Sequence, residues 1–136
     1  MIEGSFTLEE LIGTFSALPF DLTFVDKDDT VRYFTPGTER IFSRTRAILG
    51  RKVQYCHPPK SVRIVNQIVK DFKAGTQDRA RFWINMGGRL IYICYYAVRD
   101  AQGGYMGTLE VTQDLSEVRS LEGERRLLTY DEAPEG

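Results

Sequence analysis

One histidine, two cysteines and a pair of adjacent prolines carry most of the chemistry that side-chain type offers in this chain. His57 is the only histidine, so it heads any set of candidate iron ligands or acid-base groups. It sits in Gln54-Tyr55-Cys56-His57-Pro58-Pro59, a stretch that predicts irregular backbone. Two consecutive prolines remove two amide donors, and Pro58 disfavours the α region for His57. The plain alternative is a histidine that caps or packs this loop against the start of the next helix. Cys56, His57 and Cys94 would offer three soft ligands to zinc, yet their spacing matches no closed zinc site and a fourth ligand would have to be a carboxylate. As a redox thiol Cys56 has only Lys52 and His57 nearby in sequence to lower its pKa, so two reduced, buried thiols are expected, with one Cys56–Cys94 disulfide as the other pairing. No Ser-His-Asp order, phosphate-cradling glycine loop or metal-hydrolase pattern is present. The expectation is that the chain is not an enzyme.

These residues must be positioned by a short series of elements. Thr7-Leu8-Glu9-Glu10 has the form of a capping box, and Leu8, Leu11, Ile12 and Phe15 follow at i, i+3, i+4 and i+7, until Pro19 stops the helix. From Phe20 the period becomes two. Phe20, Leu22 and Phe24 alternate with Asp21 and Thr23, Asp26 to Asp29 turn the chain, and Val31 to Phe34 return. Short helical turns are predicted near Thr38 to Phe42 and Arg46 to Leu49, with Gly50 as the C′ residue. After the prolines, Val62, Val65, Ile68, Val69 and Phe72 predict one long helix that ends at Gly75. Three strands follow, at about 79–86, 89–99 and 105–113. The strand Arg89 to Arg99 is apolar on both faces, with Leu90, Tyr92, Cys94 and Tyr96 on one and Ile91, Ile93, Tyr95 and Ala97 on the other. A strand with one wet face would alternate, so its second face is expected to be covered by the N-terminal helix together with another subunit. A final helix is predicted from Asp114 as N-cap and Glu117 at N3, with Leu115, Val118, Leu121 and Leu128 as its seam. The last residues, Asp131 to Gly136, read as a frayed tail.

Composition bounds the function. The 136 residues are 42% hydrophobic and 27% charged, the size and balance of one folded domain. Eighteen basic and 19 acidic residues leave a net charge of −1, which gives no general attraction to nucleic acid or anionic lipid. No apolar run is long enough to span a bilayer. Met1 to Ser5 lack the basic and apolar regions of a signal peptide, so a cytoplasmic location is expected. The organisation reads as 1–18 flanking helix, 19–114 core and 115–136 exit helix and tail.

The order of elements resembles a PAS domain. The strand Gly107-Thr108-Leu109-Glu110-Val111 followed by Asp114-Leu115-Ser116-Glu117 is similar to the acidic, apolar, Ser/Thr signature with which PAS domains leave their last strand. Phe24-Val25-Asp26 through Val31-Arg32-Tyr33-Phe34 is similar to the family's first hairpin. Cys56-His57-Pro58-Pro59-Lys60-Ser61, Phe82-Trp83-Ile84 and Tyr95-Tyr96-Ala97-Val98-Arg99-Asp100 resemble more narrowly the C-terminal PAS domains of bacterial and archaeal proteins that carry a hemerythrin-like domain. With a single His, this chain holds no such di-iron segment itself, so the resemblance implies a module that works with other domains of a longer parent protein.

The resemblance implies an α+β fold, a five-stranded antiparallel sheet with short helices and one long helix on one face, flanked by N- and C-terminal helices. It implies a sensory, signal-transduction module that binds a small ligand between sheet and long helix, and that relays through terminal helices as a homodimer, without nucleic-acid or membrane partners. Haem is the first candidate, with His57 as axial ligand, although His57 stands ahead of the long helix, a departure from the family's better-known haem pattern. Val65, Ile68, Val69 and Phe72 are expected to face Phe82, Ile84, Tyr92 and Tyr96, and the cofactor-binding set is His57, Val65, Val69, Phe82 and Tyr92. Gly50-Arg51 resembles the start of a light-sensing flavin motif, but Val53 stands where the reactive Cys belongs, so no covalent flavin adduct is expected. Two alternatives are a ligand-free dimerisation module and, more weakly, a redox or metal sensor built on Cys56 and His57.

Overall fold

A computed structural model describes residues 3–36 and 41–130. Helix α1, Leu8–Ala17, opens with the reciprocal bonds that its sequence predicts: Glu10 N–H donates to Thr7 Oγ1 at 3.0 Å, and Thr7 N–H donates to Glu10 Oε1 at 2.9 Å. Only part of its apolar stripe is covered. Leu11 and Phe15 are half-buried while Leu8 and Ile12 are exposed, and Phe15 packs its ring on Tyr33 with centroids 6.2 Å apart, within the usual range for aromatic pairs.

Five strands, β1 (Asp21–Asp26), β2 (Val31–Phe34), β3 (Arg79–Met86), β4 (Arg89–Arg99) and β5 (Tyr105–Asp114), form one antiparallel sheet in the order β2-β1-β5-β4-β3. The β3–β4 hairpin closes on Gly87 and Gly88, with φ of 59° and 81°, a pair of left-handed positions that a tight two-residue turn requires. Long helix α2, Pro59–Ala74, lies on one face of the sheet and buries Val65, Ile68, Val69 and Phe72. Its stop is also local: Gly75 takes φ 76°, and Thr76 N–H donates to the Asp71 carbonyl at 3.1 Å, a left-handed cap that satisfies the final turn. Val65 and Val69 join Val25, Val31 and Val53 in the core cluster.

Two expectations are revised. The proline stretch is more regular than predicted: Val53–Cys56 form a 3-10 turn and Pro59 is the first residue of α2, because proline costs a helix nothing at N1, where its amide has no partner anyway. The turn expected near 46–49 is present, as a 3-10 turn over Arg46–Ile48, and the one placed at 38–42 falls mostly outside the described residues. The exit helix, α3, spans only Ser116–Ser120, and its cap position is Leu115 rather than Asp114. Leu121 is extended, with ψ 138°, and Leu127 and Leu128 are exposed. An isolated helix this short is below the length that propensity can sustain, and what holds it is the junction with β4: Leu115 N–H donates to the Leu90 carbonyl at 2.9 Å and Leu90 N–H donates to Ser116 Oγ at 3.0 Å. The tail from 131 lies outside the described residues. On the outer face of the sheet Phe15 sits over β2, and Trp83 on β3 is 63% exposed. No helix among the described residues is long and apolar enough to cross a membrane.

Candidate functional site

Strand register decides which side chains meet α2. Thr23 on β1, Glu110 on β5, Tyr95 on β4 and Ala80 on β3 are direct neighbours in one row, and Asp21, Thr112, Ile93 and Phe82 make the next. Between this face, α2 and the segment 41–58 lie two adjoining cavities. The inner one, about 20 Å³, is walled by valines of the core with Thr23 and Thr108, and holds roughly one water by volume. The outer cleft, about 340 Å³, adds Phe42, Ile64, Phe82, Ile84 and Ile93 as apolar walls. That volume falls within the ~300–1,000 Å³ of small-molecule clefts. Arg44, Cys56, His57, Val65, Tyr95 and Glu110 line both.

The polar groups gather where the cavities join. Arg44 Nη2 lies 3.4 Å from Glu110 Oε1, with the two side chains 15% and 10% exposed. Arg44 Nε is buried with no hydrogen-bond partner. Burial, followed by the charge of Glu110 and a hydrogen bond to it, raises the Tyr95 phenol far above its ordinary range, which keeps it a neutral donor. Burial likewise raises the Cys56 thiol, against the opposing pull of Arg44 and Arg51; the thiolate needed for redox chemistry is disfavoured. His57 Nδ1–H donates to the Val53 carbonyl at 3.0 Å. That bond leaves Nε2 as the ring's acceptor atom.

Of the residues expected at the site, His57 and Val65 line both cavities, Val69 the inner and Phe82 the outer. Tyr92 is not with them. It pairs with Trp83 and Gln113, an odd step from Ile93 and Tyr95, so it points to the outer face, where it accepts from Arg81. Tyr96 follows it to that face for the same reason: side chains alternate along a strand. Cys94, fully buried, is there as well, so the sheet separates it from Cys56, and the two thiols are placed neither for a disulfide nor for a shared zinc. Among the described residues no group of three or more His, Cys, Asp or Glu could hold a metal ion.

Arg44, Glu110 and Tyr95 were absent from the expected set. Glu110 is charged in a strand whose other face, Leu109 and Val111, is apolar, and the ordinary pattern turns such a residue to water. Here Thr108, Glu110 and Thr112 are all buried. The polar side of β5 faces α2.

The donor chemistry fits one axial contact to haem: a histidine anchored at Nδ1 by a carbonyl, with Nε2 available and apolar walls beside it. Among the described residues of the same walls, the neighbouring Cys56 thiol is raised by burial, which disfavours the thiolate that would bind iron.

Comparison with known proteins agrees with this architecture. The C-terminal domain of a Streptococcus mutans protein shares 33% identity and superposes with a TM-score of 0.83, over 90% of this chain and 95% of that one. In fold alone the chain also resembles the PAS domain of a Colwellia psychrerythraea protein, at 14% identity, TM-score 0.60 and coverage of 81% and 98%. The PAS domain of Bordetella pertussis BvgS is similar to the same degree, at 17%, 0.60 and coverage of 79% and 85%. No curated protein matches the chain in sequence. The family model of PAS domains matches residues 13–116, from within α1 through the first residue of α3, and the chain therefore belongs to the PAS domain family.

Proposed function

We propose that this chain is a non-enzymatic sensory module that takes up a small molecule in the cleft between α2 and the sheet, and relays its presence through β5 to the exit helix. The observation that carries this reading is the cleft itself, about 340 Å³ with apolar walls and polar groups concentrated at one end. That combination is what orients a ligand. Since Glu110 lies on the strand that ends in the exit junction, a ligand that moves it acts on α3. It shifts the equilibrium only if it prefers one arrangement of the two.

Haem is the first named candidate. Held by His57 through Nε2, it would supply an iron centre that responds to gases or redox state. The raised Cys56 thiol weighs against a sensor built on that residue. A ligand-free dimerisation module is the second reading, favoured by the small inner cavity and by exposed Leu8 and Ile12 on α1. A homodimer formed through these residues, a cytoplasmic location, and a longer parent protein of the hemerythrin-like kind belong to the proposal.

The first experiment is a visible spectrum of the purified protein with hemin titrated into wild type and His57→Ala. A Soret band that saturates at one haem per chain and shifts in the variant supports a haem sensor. Absence of a band removes haem, and light scattering of the same sample then separates dimer from monomer.

A further inference from the structure

Resting on the reading of the cleft as a ligand site, we infer that the ligand is a small organic acid, a carboxylate on an apolar body, and that Arg44 receives it by releasing Glu110. Among the described residues that line the two cavities, Arg44 is the one cation. Its guanidinium presents two donors, Nε and Nη2, along one edge, the fork that a carboxylate takes side-on. Glu110 occupies half of that fork with one oxygen at 3.4 Å, longer than the ~2.7–2.9 Å of well-made charge-assisted bonds. The other half, Nε, is buried and unbonded, and a buried donor left in that state is costly. A carboxylate from the cleft would satisfy both donors at once. Glu110 would not be orphaned by the exchange, because the Thr112 hydroxyl donates to its Oε1 at 3.5 Å and the Tyr95 phenol, kept neutral, stands opposite it across β4 and β5. The ligand's apolar body has its place against Phe82, Ile84 and Ile93.

The test is calorimetry of the full chain with sodium phenylacetate and sodium octanoate, against phenylacetamide and octanamide as matched neutral probes. The acids are expected to bind on the order of ten-fold more tightly than the amides, the effect of one charge-assisted hydrogen bond. Arg44→Gln should abolish that preference. Glu110→Gln should strengthen acid binding, since it removes both a competitor for Arg44 and a like charge. If Arg44→Gln fails to fold, Glu110→Gln decides alone: weaker acid binding in it overturns the inference. Equal binding of acids and amides overturns the inference and leaves the cleft standing as a ligand site. No binding of acids, amides or hemin overturns both.

Discussion

The Asp114 carboxylate accepts two hydrogen bonds from Ser116, from its backbone N–H at 3.0 Å and its hydroxyl at 2.6 Å. Ser116 Oγ in turn accepts from Leu90 N–H, so the last strand, the first turn of α3 and the start of β4 are joined through one hydroxyl. This gives the acidic, apolar, serine sequence at the exit a physical meaning. The acidic residue orients the serine, and the serine ties the helix to the sheet.

Ser116→Ala should therefore loosen the exit helix. The loss is about 1–2 kcal/mol from two side-chain hydrogen bonds, read by urea unfolding, with faster hydrogen exchange at the Leu90 and Ser116 amides. An unchanged Leu90 amide would mean that the hydroxyl does not hold the junction. Hydrogen bonds to Ser116, aided by Arg89, lower the pKa of Asp114. A carboxylate lowered in the folded state stabilises above its unfolded pKa, and that contribution disappears as pH falls through the folded value. The Ser116 amide signal should accordingly shift below the ordinary carboxylate range, and Asp114→Asn should remove the shift.

Gly107 permits the close approach of β5 to β1. A Cβ there would meet the Phe24 ring at 2.7 Å and press into the Val25 carbonyl. The carbonyl is backbone and cannot rotate away. Gly107→Ala should cost on the order of 1–3 kcal/mol as an overpacked site, measured as a lower urea midpoint at unchanged slope.

Tyr95 has the opposite sign of pH dependence to Asp114. Its phenol is raised by burial and by Glu110, so its contribution is complete below the unfolded tyrosine value, about 10, and is lost as pH rises above it. Wild type should thus lose stability in alkali more steeply than Tyr95→Phe, which keeps the ring and removes the proton. Parallel curves for the two proteins would exclude Tyr95 as the source.

Ile84 lines the outer cleft and is 41% exposed. Ile84→Trp should occupy the cleft and block uptake of any ligand found there, while stability stays within about 0.5 kcal/mol, as for surface positions. Retained binding with a normal melting curve would place the ligand elsewhere.

What was legible in the residues alone was local. The Thr7–Glu10 box, the Gly87-Gly88 turn, the buried stripe Val65, Ile68, Val69 and Phe72, and the exit signature all depend on neighbours within a few positions, and each stands in the structure. The single histidine and the family resemblance also pointed to His57, Val65, Val69 and Phe82. Tyr92 was misplaced because β4 is apolar on both faces: Ile91 and Cys94, on opposite sides, are each fully buried. Periodicity carries no sign in such a strand. Only the pairing with β5 and the position of α2 decide that Tyr95 turns inward and Tyr92 outward. Glu110 was hidden for a related reason. A charged residue in an alternating strand reads as wet, and it is the arrival of Arg44, 66 positions away in sequence, that makes its burial tolerable. The sequence determined the elements and the family; the tertiary structure alone decided which faces meet, because burial depends on partners that no local pattern records.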